Sequence, residues 1–190
     1  MQTNGRRTNL DIKGLVYLAI LSALVVILQI ISNITSASLP ITLTLVPIVL
    51  GGALINKWSG AWLGFVFGLT VLFSGAANAF LAISPIGTIV TVIVKGTLAG
   101  LLAALVYSLL EKKNRYLAIL VAGIVAPVVN TAIFILGCYV FFFGTEQSPS
   151  ADVLGTIVAT FTGINFLLEL GLNMLLAPTI LRLINLKKAD

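Results

Sequence analysis

IGTIVTVIVKGTLAGLLAALVYSLLEKKNR, residues 86–115, carries one charged side chain in its first twenty-five positions and four in its last five. About 20 predominantly apolar residues in a helix cross the hydrocarbon core of a bilayer. The stretch therefore reads as a membrane span closed by a charged turn, with Lys95 stranded inside it. The rest of the chain follows the same plan. Of its 190 residues, 59% are hydrophobic and 9% charged, where a soluble domain carries about 25% charged residues. Such a chain cannot cover itself with polar surface, and it reads as an all-α integral membrane protein.

Turn signals divide the remaining apolar sequence. SNITSASLP (32–40), NKWSG (56–60), SGAANAFLAISP (74–85), EKKNR (111–115) and GTEQSPSAD (144–152) are read as loops. They leave six predicted spans at about 13–33, 41–55, 59–74, 86–110, 116–143 and 155–184, forming one compact domain over residues 1–190. Pro47 is expected to interrupt the short second span, and Pro127 to kink the fifth.

Charge placement tests the count. Arg6, Arg7 and Lys13 precede span one, Lys57 separates spans two and three, and Lys112, Lys113 and Arg115 separate four and five. Arg182, Lys187 and Lys188 close the chain. With six spans these all fall on one side, which the positive-inside rule assigns to the cytoplasm together with both termini. Five spans would put the basic termini in opposite compartments. The net charge of +5 is then a topological signal that also attracts anionic lipid headgroups, and no nucleic-acid partner is expected. The apolar run after the basic N-terminus exceeds the 7–15 residues of a secretory signal, so it is read as a retained span in the plasma membrane.

Small residues mark where membrane helices approach one another. Gly60, Gly64 and Gly68 share one face of span three, Gly96 and Gly100 lie on span four, and Ala19 and Ala23 on span one. Each set is read either as internal packing or as a docking face for another membrane protein. Trp58 and Trp62, one turn apart, read as an interfacial anchor.

Polar residues at membrane depth are the candidate site. Lys95 lies about 14 Å into its span, on a face shared with Thr88 and Thr91. Asn165, Glu169 and Asn173 share a face of span six, and Asn130 falls mid-span in span five. A charge facing lipid costs about 3 kcal/mol, so these groups are expected to face each other or a cavity. Two readings stand: a Lys95–Glu169 pair that fixes packing, or a pocket in which lysine receives an anionic group of a small polar ligand. Proton transfer through Glu169 is a third.

Enzyme chemistry finds no support. The chain has no histidine, which removes the commonest general base and metal ligand. Its lone cysteine, Cys138, is read as a small buried side chain. VKGT (94–97) has the wrong order for a phosphate-binding loop, and neither a cofactor nor a metal is expected.

Several stretches together resemble the substrate-binding S components of energy-coupling factor (ECF) vitamin transporters. They are LAILSALVVILQ (18–29), ITLTLVPIVLGGAL (41–54), GAWLGFVFGLTVLFSG (60–75) and NFLLELGLNMLLAPTI (165–180). The resemblance implies a high-affinity vitamin binder that joins a transmembrane coupling protein and two cytoplasmic ATPases. It implies that Ala19 and Ala23 dock the coupling protein. It also implies an outward-opening pocket of later spans and external loops, and Lys95, Asn130 and Asn165 lie in the corresponding region; with Thr91, Thr88, Glu169 and Asn78 they are the candidate substrate-binding residues. The pattern is most like that of the pantothenate-specific members. Pyrimidine- and pyridoxine-type members share similar early segments, and a stand-alone proton-coupled carrier using Glu169 is the reading from another class.

Overall fold

The computed structural model describes residues 12–35, 43–141 and 151–189, and between Ala151 and Asn165 chiefly the helix backbone. The described residues form seven helices: α1 (Ile12–Thr35), α2 (Leu45–Leu54), α3 (Lys57–Phe73), α4 (Asn78–Leu81), α5 (Pro85–Leu110), α6 (Arg115–Phe141) and α7 (Ala151–Ala189). No strand occurs among them. Ile12–Ile34, α5, α6 and the Phe166–Asn185 part of α7 are long and apolar enough to cross a bilayer. α2 and α3 are apolar but shorter, at 10 and 17 residues.

Side-chain caps set where the helices begin. Asn56 is extended, and its side-chain oxygen accepts from the Ser59 amide at 2.8 Å, starting α3. Ser84 accepts from the Gly87 amide at 3.3 Å, with Pro85 in the first turn of α5 where no amide is needed. Asn114 accepts from the amides of Tyr116 (2.9 Å) and Leu117 (3.1 Å) and opens α6. Asn56→Ala is expected to lower stability by about 1 kcal/mol. Asn56→Asp, which keeps the acceptor, should restore most of it, as thermal unfolding in detergent would read.

Two expectations need correction. Among the described residues of the predicted second span, 43–55, the helix covers Leu45–Leu54, about 15 Å. Pro47 does not interrupt it: the proline is its third residue, among the amides that lack an intrahelical acceptor in any helix. The stretch 74–85 also holds α4, entered through Gly75 at φ +84°. Pro127 lies inside α6, which continues past it to Phe141.

α3 and α5 pack antiparallel along a glycine seam. A Cβ placed on Gly64 would strike the Gly96 carbonyl, and one on Gly96 would strike that of Gly64. Gly60 and Gly100 meet in the same way, and Gly68 lies against the Val92 carbonyl. Backbones approach this closely only where no side chain intervenes. The glycines read as packing or docking are thus an internal seam.

Other contacts fix the ends. The Asn33 amide donates to the Ser74 carbonyl, so α1 and α3 finish together. Arg115 donates to Asn185 at 3.3 Å, joining the start of α6 to the end of α7. Lys13, Lys57, Lys112, Lys113, Arg115 and Arg182 consequently gather at one end of the bundle. The apolar core, with Ile48, Leu63, Ala103, Ala118, Ile119 and Ile184 fully buried, sits toward that end. Trp58 and Trp62 are exposed there, and Lys57 lies over the Trp58 ring at 5.7 Å.

Candidate functional site

Toward the opposite end the core gives way to polar and aromatic side chains. Lys95 is half-buried. Its ammonium stands 4.9 Å from the ring centre of Phe134 on α6 and 5.8 Å from that of Phe67 on α3. Two ring faces partly replace water around the cation. Phe134 in turn meets Phe80 of α4 at 5.3 Å in a T-shaped arrangement, 85° between planes. Phe80, Phe134, Ile83 and Phe141 surround buried Cys138. Glu169 of α7, 1% exposed, and Cys138 lie close enough to act electrostatically on Lys95.

The glycine seam builds this position. Phe67 lies beside Gly96, where a Cβ would come within 3.1 Å of its ring. Glycine next to Lys95 therefore lets the phenyl ring lie close against α5.

α6 and α7 run antiparallel, and Asn173 packs against Gly123. Counting from that contact, Asn130 and Glu169 lie within about one turn of each other along the seam. Asn130 is buried, and its Oδ1 accepts no hydrogen bond among the described residues. The Asn173 amide oxygen and nitrogen and the Thr91 hydroxyl likewise have no hydrogen-bond partner among the described residues. A buried polar group left this way costs about 1–3 kcal/mol. A polar ligand at this depth would have hydrogen-bonding partners available.

The structure does not bring every sequence candidate together. Thr88 is buried, but its hydroxyl donates to the Ser84 carbonyl of its own helix at 2.8 Å. Thr91 packs directly on Gly137. Asn78 is exposed at the start of α4. The Asn165 side chain lies outside the described residues. Ala19 and Ala23 are exposed on α1, beside exposed Leu15, Val16, Ile20 and Leu24.

Sequence reasoning missed the three phenylalanines. Phenylalanine is ordinary in an apolar span, and only the α3–α5 and α5–α6 registers bring Phe67 and Phe134 to Lys95, with Phe80 stacked behind Phe134. It also missed a buried pair on the other flank, where the Thr44 hydroxyl donates to Gln29 at 3.1 Å.

The arrangement offers a cation, phenyl faces and amides, which suits recognition of a small amphipathic anion. Among the described residues no cluster of His, Cys, Asp or Glu could hold a metal. No curated protein and no solved structure matches the chain. A model of the ECF transporter, substrate-specific component family matches residues 13–181, nearly the whole sequence. Members of this family are substrate-binding subunits of ECF importers. They are not enzymes, and their membership implies a vitamin-type substrate and the energy-coupling module as partner. With that match over residues 13–181 and its apolar helices, this chain belongs to the ECF transporter substrate-specific component family.

Proposed function

We propose that this subunit binds pantothenate from outside the cell and delivers it to an ATP-driven importer. ATP would be hydrolysed by two cytoplasmic ATPases acting through a transmembrane coupling protein. The observation that carries the reading is the Lys95 ammonium between Phe67 and Phe134. Pantothenate is a carboxylate with hydroxyls, one amide and a dimethyl-substituted carbon. Lys95 receives the carboxylate, the phenyl rings take the dimethyl carbon, and Asn130 serves the polar middle. Glu169 sits beside the lysine as its counter-charge when the site is empty. Asn165 and Asn78 contribute from α7 and from the outer mouth, and Thr88 and Thr91 shape the α5 wall.

The whole chain acts as one six-span domain in this reading, with α2 and α3 completing the count. The end that gathers Lys57, Lys112, Lys113 and Arg115 faces the cytoplasm, as basic loops do, and both termini lie there. Ala19 and Ala23 present the face that meets the coupling protein, since none of the chain's own described helices covers it.

Calorimetry of the purified chain against a vitamin panel tests the substrate. Submicromolar binding of pantothenate, with no comparable binding of hydroxymethylpyrimidine or pyridoxine, is expected. Tight binding of another vitamin and none of pantothenate overturns the assignment. Uptake by the lone protein in liposomes, driven by a pH gradient without ATP, would instead identify a proton-coupled carrier using Glu169.

A further inference from the structure

Gly123, Pro127 and Asn130 are buried on α6. Their i, i+4, i+7 spacing puts them on one face. Gly123 sets that face against α7: a Cβ there would meet the Cβ of Asn173 at 3.4 Å and its carbonyl oxygen at 3.8 Å. Proline has no amide hydrogen, so Pro127 cannot pair with the carbonyl four residues before it, which is that of Gly123. α6 is long and apolar enough to span a bilayer, and lipid offers such a carbonyl no donor. A neighbouring helix must supply one.

Asn173 stands in the right place to do so. It is 2% exposed, and its amide nitrogen has no hydrogen-bond partner among the described residues. Side chains lean toward the N-terminus of their own helix. α7 runs antiparallel to α6, so the Asn173 amide leans from Gly123 toward Pro127. Helix carbonyls point toward the C-terminus, so the Gly123 carbonyl points the same way. We propose that the Asn173 amide donates to the Gly123 carbonyl and latches α6 to α7 at its proline. A turn about the last side-chain torsion, which is soft in asparagine, brings the nitrogen round. One unmet donor and one unmet acceptor are thereby paired.

The latch sits at the joint between two halves of α6. The half before Pro127 holds Ala118 and Ile119 in the apolar core, and the half after it carries Asn130, Phe134 and Cys138. Helices bend at prolines, so a contact at this joint sets the angle of the second half. Asn173 is then a positioning residue for the half-helix from which Phe134 reaches Lys95. That consequence rests on the Lys95 site proposed above, and the latch itself does not.

The test compares the full chain in detergent as wild type, Asn173→Leu, Pro127→Ala and the double variant. Leucine is close to asparagine in shape but cannot donate. Pro127→Ala returns an amide to the Gly123 carbonyl within α6. Asn173→Leu should lower the unfolding midpoint of the wild-type chain and leave that of Pro127→Ala equal or higher. A midpoint raised in both backgrounds marks an amide that was simply unmet and overturns the latch. An equal loss in both, as for an amide that serves Glu169 or the substrate, overturns it too. If Asn173→Leu alone does not fold, a folded double variant supports the latch and an unfolded one overturns it. Cys138, the single cysteine and 1% exposed, reports on the second half of α6 without any vitamin. Maleimide should modify it several times faster in Asn173→Leu, and at the wild-type rate in the double variant. An unchanged rate in Asn173→Leu overturns the positioning role. Pantothenate affinity should fall about tenfold in Asn173→Leu, and far less when the substitution is made in Pro127→Ala. A wild-type chain that binds no pantothenate overturns the substrate alone, and the midpoints and maleimide rates still decide the latch.

Discussion

Gly64→Ala is expected to destabilise the bundle by about 3 kcal/mol, the upper range for forcing extra atoms into a packed core. The new methyl would collide with the Gly96 carbonyl and with the backbone between Gly96 and Thr97. No rotamer change relieves a collision with backbone, so α3 and α5 must separate. Alanine's higher helix propensity, worth up to about 1 kcal/mol, offsets only part of this. Gly171→Ala is the control, because a Cβ there meets nothing within 4 Å. It should leave stability unchanged or slightly raised. Unfolding in a denaturing-detergent titration would read both variants. A Gly64→Ala chain as stable as Gly171→Ala would show that the seam is not closely packed. The effect should also reach the site. Phe67 lies one turn beyond Gly64 and approaches Lys95 only because the seam is tight, so a separated seam should weaken substrate binding as well.

Much of this architecture is written in local sequence. Asn56, Ser84-Pro85 and Asn114 stand where three helices begin, and each acts through its own side chain or ring. The long apolar runs appear as α1, α5, α6 and α7 because a bilayer-spanning helix needs little beyond its own hydrogen bonds and apolar side chains. Pro47 misled because a proline breaks a helix only past the first turn, and α2 begins just two residues before it. α4 escaped notice because four residues carry no periodicity. The glycines were legible as small faces. Whether a small face packs internally or docks a partner depends on register, and register is a tertiary property: Gly64 opposite Gly96 and Gly60 opposite Gly100 decide it. The same limit applies to the site. A lone lysine in an apolar span stands out because its charge is costly there. The rings that receive it do not stand out. Equally, the shared face of Thr88 and Lys95 was visible, but the Thr88 hydroxyl is spent on its own helix.

Lys95→Ala is expected to weaken pantothenate binding by about 3 kcal/mol, or roughly a hundredfold. The ammonium is the charged donor that the substrate carboxylate would meet, and truncation leaves that carboxylate facing two phenyl rings. Lys95→Arg keeps the charge and can stack on the same rings, so it should recover part of the affinity. The variant also separates the two roles open to the lysine. If its main role is to neutralise Glu169, removing it leaves a carboxylate that is 1% exposed without its cation. Breaking a buried pair from one side costs about 3–5 kcal/mol of stability. In that case Lys95→Ala should unfold readily, and Lys95→Ala with Glu169→Gln should regain stability without regaining affinity for any anionic vitamin. If the lysine serves the substrate, the folded chain should tolerate its loss, and the defect should appear in calorimetry. A neutral analogue, the primary amide of pantothenate, sharpens the distinction: wild type should bind it poorly, and Lys95→Ala should bind acid and amide about equally. Unchanged affinity of Lys95→Ala for the acid would remove the lysine from the pocket.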